Sequence, residues 1–239
     1  MTARISRCWA VLAAVTALLP ATRTASAQAG DRYKPRIPAR WAAEVTNPYF
    51  PLPKGTTYRF SGKTKDGVET GTVEVVPKAR MVNGVAATAV RDQVYLDGKL
   101  IEETEDWYAQ AADGSVWYLG EDSKEIENGR VVSSEGSWEW TIKGALPGIV
   151  MWADPTAHVG EKYLQEYLKG EAEDFATVVS VGQEITVPNG KYTGCITTND
   201  SSNLEPTVVE TKTYCPRVGF ALETVPGKER IELISVSSP

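Results

Sequence analysis

Five short stretches, "SGKTKDGVET", "MVNGVA", "LDGKL", "ADGSV" and "ENGRV", punctuate the chain between Ser61 and Val131. Each sets Asp-Gly or Asn-Gly between alternating side chains. A type I′ turn needs positive φ at both central positions, which Gly adopts freely and Asn or Asp tolerates. Five such signals in one half of a chain predict an antiparallel meander, and little competes with them. No stretch of ten or more residues carries apolar groups at helical spacing without a Gly or Pro, except around "AEDFATVVSV", where β-branched residues favour strand. The expected fold is mostly β: an antiparallel meander forming a large curved sheet or an incomplete β-barrel.

The N-terminus sets the compartment. Arg4 and Arg7 precede an apolar run from Trp9 to Leu19, followed by Ala25-Ser26-Ala27. That order is expected of a secretory signal peptide, residues 1–27, cleaved near Ala27. The run of 11 residues falls short of a membrane span, which needs roughly 20. No transmembrane segment is expected in the mature chain. The leader holds three Arg and no acid, so its loss takes the net charge from -6 to -9 and leaves 212 residues (239 minus 27). So acidic a chain excludes nucleic acid as a natural partner. Cys195 and Cys215 remain as a pair, and in an exported chain a pair is expected to form a disulfide, closing a ring of 21 residues. Zinc wants four ligands and His158 is the one histidine, so no metal or cofactor is expected.

The mature chain divides by pattern. Residues 28–54 form an extended Pro-rich lead-in, with Pro35, Pro38, Pro48, Pro51 and Pro53 opposing helix. Residues 55–143 and 159–239 are two antiparallel β halves, joined by a linker at 144–158. The halves share an order of features: Gly55-x-x-Tyr58 and Gly160-x-x-Tyr163, then Asn83-Gly84 and Asn189-Gly190, then Tyr108 before Gly114 and Tyr214 before Gly219. The shared order suggests a duplicated meander, although β-proteins also repeat such features by chance.

Four segments carry a family resemblance: "NPYFPLPKGTTYRF", "AVRDQVYLDGKLIEETEDWYAQAADGSVWYLGED", "GEAEDF" and "YCPRVGFALE". With them the chain resembles a family of secreted bacterial proteins of uncharacterised function, over nearly all its mature length. The tyrosine-and-glycine ending is also similar, more faintly, to envelope proteins related to the lipoprotein-localisation carriers. That likeness implies an incomplete barrel around an apolar cavity. Neither resemblance supplies catalytic residues, and within the first the two cysteines stand as a local addition.

The hairpin "DWYAQAADGSVWYLGED" is the candidate site. If Asp113-Gly114 is a two-residue turn, Gln110 faces Trp117, Tyr108 faces Leu119 and Asp106 faces Glu121. Alternation then places Trp107, Ala109, Ala111, Val116 and Tyr118 on a core face. Asp106, Tyr108, Gln110, Trp117, Leu119 and Glu121 share the other, a mix of rings and polar groups suited to a wet groove. A plain amphipathic hairpin gives the same pattern, and a slip of one residue exchanges the faces. In "LPGIVMWADP" the run from Ile149 to Trp152 cannot face one way, so Trp152 joins the ligand-binding candidates as part of a lid or a core plug.

The acidic clusters, among them Glu102–Asp106 and Glu171–Asp174, could serve a carboxylate-based hydrolase or calcium. The chain lacks a G-x-S-x-G elbow, an H-E-x-x-H pair and a phosphate-binding glycine loop, so no catalytic residue is assigned. The leading reading is a secreted or periplasmic, non-catalytic binding or carrier module for a small amphipathic ligand. A structural or interaction protein of the cell envelope is the alternative, and a hydrolase comes third.

Overall fold

The computed structural model describes residues 33–225 and 229–239; the expected signal peptide lies outside the described residues. A short ribbon of β1 (Thr46–Asn47) and β2 (Phe50–Pro51) comes first. The main sheet follows with β3 (Thr57–Lys63), β4 (Val68–Val75), β5 (Arg80–Val82), β6 (Val85–Leu96), β7 (Lys99–Gln110), β8 (Val116–Glu127), β9 (Arg130–Ser133), β10 (Trp138–Glu139) and β11 (Leu146–Met151). It continues through β12 (Lys162–Leu164), β13 (Glu166–Tyr167), β14 (Asp174–Val187), β15 (Gly190–Ser202), β16 (Glu210–Cys215), β17 (Gly219–Val225) and β18 (Glu229–Ser237). No helix among the described residues is long and apolar enough to cross a membrane.

Thirteen strands hydrogen-bond side by side in the order β12, β14, β15, β16, β17, β18, β3, β4, β6, β7, β8, β11, β13, every pair antiparallel. The short β5, β9 and β10 add to the flanks of β6 and β8. The result is a nearly closed antiparallel barrel with one unsealed seam, between β12 and β13. Three of the five turn signals form type I′ turns. Asn83-Gly84, Asp97-Gly98 and Asn128-Gly129 all have positive φ at both positions and join strands through two residues.

Curvature comes from irregularities in the ladders. Register shifts interrupt β6–β7, β7–β8, β16–β17 and β18–β3 once each and β14–β15 three times. Each extra residue bends its strand and sharpens the twist, which rolls the sheet toward closure.

Alternation along the strands fills the inside. On β4, Glu69, Gly71, Val73 and Val75 point inward and their neighbours outward. Tyr58, Phe60, Val90, Tyr108, Tyr118, Ile196, Tyr214 and Leu233 complete an inner cluster, and the lead-in adds Val45, Phe50 and Leu52. Phe50 packs edge-on against Tyr108 with ring centroids 5.1 Å apart. Cys195 and Cys215 form a disulfide between β15 and β16, both side chains fully buried in this cluster. The strands β6, β7 and β8 are covered outside as well, where Ala87, Ala89, Trp107, Ala109, Trp117 and Leu119 meet Val82, Trp41 and Trp140.

At the seam the two edge strands are consecutive in the chain, separated only by Gln165. The corner lies against Gly148 of β11: a Cβ there would stand 2.3 Å from the Leu164 carbonyl oxygen and 2.4 Å from the Gln165 carbonyl carbon. No flexible side chain could yield to relieve that overlap. Gly148→Ala is therefore expected to force the seam apart and lower the melting temperature well beyond the loss typical of a point substitution, about 1 kcal/mol. Reducing the Cys195–Cys215 disulfide is expected to remove about 2–4 kcal/mol. Urea unfolding with and without reductant measures it.

Candidate functional site

The hairpin of β7 and β8 departs from the expected geometry at its tip. The Ala111 N–H donates to the Ser115 carbonyl (2.8 Å) and the Gly114 N–H to the Ala111 carbonyl (2.9 Å), so the loop holds three residues, Ala112 to Gly114. Gly114 has φ of 99° while Asp113 stays in the ordinary region and accepts from the Ser115 amide (2.9 Å) and hydroxyl (2.6 Å). A three-residue loop shifts the register by one. Tyr108 therefore faces Tyr118, Ala109 faces Trp117 and Gln110 faces Val116. A bulge between Trp107 and Tyr108 restores the Asp106–Glu121 pair that the sequence predicts. Gly120 sits at that bulge with φ of 142°, and a Cβ on it would meet the Trp138 carbonyl oxygen at 2.5 Å.

Between the two irregularities the faces exchange. Tyr118 and Val116 turn inward beside Asp106 and Tyr108, while Trp117 and Leu119 turn outward beside Trp107 and Ala109. Asp106, Tyr108 and Glu121 are essentially fully buried. Gln110 stands at the strand end, where its side-chain oxygen accepts from the Thr46 and Asn47 amides at 2.8 and 2.7 Å and ties down the lead-in.

The barrel interior is unusually acidic. Among the described residues nine carboxylates are buried there, Glu69, Asp92, Asp106, Glu121, Glu166, Asp174, Asp200, Glu210 and Glu223, against one buried cation, Lys212. Lys212 lies 3.4 Å from both Asp200 and Glu210. Burial would push its pKa down, but these carboxylates and Glu223 outweigh it and raise it well above normal. Tyr118 donates to Asp106 at 2.6 Å and the two tyrosines 108 and 118 stack with centroids 5.0 Å apart. Burial drives the Asp106 pKa up to about 7, partly countered by the Tyr118 hydroxyl. Asp92, Glu121, Glu166, Asp174 and Asp200 are raised in the same direction, first by burial. Among the described residues no three His, Cys, Asp or Glu side chains are grouped to hold a metal ion.

A ligand-sized space lies on the outside of β8 next to the seam. A cleft of about 670 Å³ is walled by Trp117, Ile149, Trp152, Tyr163, Leu164 and Tyr33, with Arg36, Lys162, Asp113 and Glu161 also lining it. Within the apolar run, Val150 and Met151 enter the core, whereas Ile149 and Trp152 line the cleft. Trp152 is fixed on three sides. Its ring stacks on His158 (3.9 Å, 10° between planes), meets Tyr163 edge-on at 5.4 Å, and its carbonyl accepts from the Asn47 side chain at 3.0 Å. Tyr33 donates to the Pro147 carbonyl at 3.0 Å, which pins the lead-in across the cleft. The Trp152 indole N–H and the Tyr163 hydroxyl are shielded from solvent and meet no partner among the described residues.

Of the six sequence-derived candidates, Trp117 and Trp152 are brought together in this cleft; Asp106, Tyr108 and Glu121 are inside the barrel and Gln110 is at its rim. Sequence reasoning did not find Tyr33, Arg36, Lys162, Tyr163 and Leu164. The alternation in "EKYLQEY" sets Tyr163 on one face with Gln165 and Tyr167, but nothing local says that its strand ends a sheet whose other edge is β13.

No family model and no curated protein matches the chain. Its fold is similar, at a TM-score of 0.41 and 10% identity, to the crystal structure of a "putative lipoprotein" from Parabacteroides distasonis ATCC 8503, covering 79% of this chain and 98% of that one.

The interior acids fix a direction for pH dependence. The folded state holds protons that the unfolded chain releases near pH 4, so their stabilisation is complete below that pH. It is lost as pH rises towards about 7, where Asp106 titrates in the fold, at about 1.4 kcal/mol per pH unit for each acid so affected. The melting temperature is expected to be higher at pH 5 than at pH 8. Asp106→Asn should narrow the difference, as differential scanning calorimetry at the two pH values would show.

Proposed function

We propose that this chain is an extracytoplasmic, non-catalytic binding or carrier module for a small amphipathic ligand, received in the cleft between the outer face of β8 and the seam. One observation carries the reading: the cleft has about 670 Å³ and a floor of Trp117, Ile149, Trp152, Tyr163 and Leu164. Small-molecule sites typically have about 300–1,000 Å³, mostly apolar walls and a few polar groups. The buried disulfide supports an oxidising compartment. The candidate carboxylates Asp106 and Glu121 are enclosed in the barrel, where a substrate has no access, which argues against a hydrolase built on them.

In this reading the barrel wall is a rigid platform and the lead-in is a strap across the cleft mouth. Trp152 offers apolar area at little conformational cost because its ring is held by its stack on His158, and the buried Trp117, anchored through its indole N–H to Ser115 at 3.1 Å, backs the floor. Neither ring needs to be ordered on binding.

An uncharged fluorophore, N-phenyl-naphthylamine, tests the cleft directly. Its emission should rise with the native protein and be lost in Ile149→Arg and Trp152→Ala, both of which should still melt cooperatively. Tyr108→Ala, inside the barrel, should instead cost about 3–5 kcal/mol of stability. Unchanged binding in Ile149→Arg would retire the cleft as the site.

A further inference from the structure

The groups lining the cleft are not evenly satisfied. Asp113 turns back on the Ser115 amide and hydroxyl, and Glu161 on the His158 ring nitrogen at 2.8 Å. Arg36 and Lys162 have no carboxylate at ion-pair distance among the described residues. Lys162 rests instead over the Phe175 ring, 3.1 Å from its centroid. The shielded Trp152 indole N–H and Tyr163 hydroxyl each keep a donor that meets no partner among the described residues. Of the four charged side chains on the cleft, the two carboxylates are thus engaged by neighbours, while the two cations are left to meet an anion.

Resting on the proposed binding role, we infer that the ligand is an amphipathic anion, a single apolar chain or ring system ending in a carboxylate or phosphate, with its acidic head at Arg36 and Lys162 and its apolar body on Trp117, Ile149 and Trp152. Several features agree with it. Partial burial lowers the Lys162 pKa with no anion to offset the loss of water, so an acidic head would restore what the fold removes. A charge-assisted hydrogen bond is stronger than a neutral one. The chain as a whole carries formal charge -6, so attraction to an anion has to be local. Arg36 belongs to the lead-in and Lys162 to the edge strand β12, so an anion held by both would tie the strap to the seam and close the ligand beneath Tyr33.

Dansyl-labelled undecanoic acid and its methyl ester differ only in the head charge, and their binding can be read by dansyl fluorescence. The acid is expected to bind about tenfold more tightly than the ester, and the gap should shrink as salt is raised. The double variant Arg36→Gln/Lys162→Gln should bring the acid to the ester's affinity and leave the ester unchanged. Both substitutions are at exposed positions, so folding is retained. Competition by dodecanoate or by dodecyl phosphate identifies a carboxylate or a phosphate head, and displacement by neither overturns the inference. Equal binding of acid and ester overturns it too, but leaves the apolar cleft standing. Failure of both probes together with N-phenyl-naphthylamine removes the cleft reading itself, and the anion inference with it.

Discussion

Everything about the shape of this molecule depends on a close backbone approach at one corner, where Gln165 joins the two edges of the sheet and lies on Gly148. A sheet of thirteen strands needs some solution for its unpaired edges. Here the edges are successive segments of one strand-like stretch, so the chain itself bridges the gap that hydrogen bonds leave open. The Gln165 amide donates to the Asp174 carbonyl at 2.9 Å, and β13 pairs with β11 through Leu146–Tyr167 and Pro147–Glu166. This arrangement also creates the cleft, because β12 stands beside the outer face of β8 without continuing its ladder.

The barrel interior is lined by acids as well as by apolar side chains among the described residues. It is packed with rings and with acids held from nearly every strand, and the void beside Phe60, Asp92 and Phe220 has only about 10 Å³. Buried carboxylates cost stability unless protonated or paired. Here Lys212 serves three of them and Tyr118 a fourth, and Asp92, Glu121, Glu166 and Asp174 are shifted toward the neutral form.

Much of the fold was legible in local chemistry. Asn83-Gly84, Asp97-Gly98 and Asn128-Gly129 specify turns within two residues, and the paired cysteines needed only their compartment. Asp113-Gly114 looked identical and behaved differently. The Asp113 carboxylate takes the Ser115 amide and hydroxyl, favouring a three-residue loop. That single added residue carried Trp117 and Tyr118 to opposite faces from those expected. The site was harder to read because its walls come from the lead-in, β8, β11 and β12, which are far apart in sequence and meet only at the seam.

The pairing of β3 with β18 has a kinetic consequence. Thr57 and Ser237 are cross-strand partners 180 positions apart, so the wall cannot be completed until β18 is free to pair. Contacts of such separation demand the closure of a very long loop before they return any free energy, and they slow folding accordingly. The hairpins β6–β7 and β14–β15 can form early because each closes across a short turn. A chain truncated before β18 would keep those hairpins but present β3 and β17 as bare edges, in a form prone to aggregation and proteolysis.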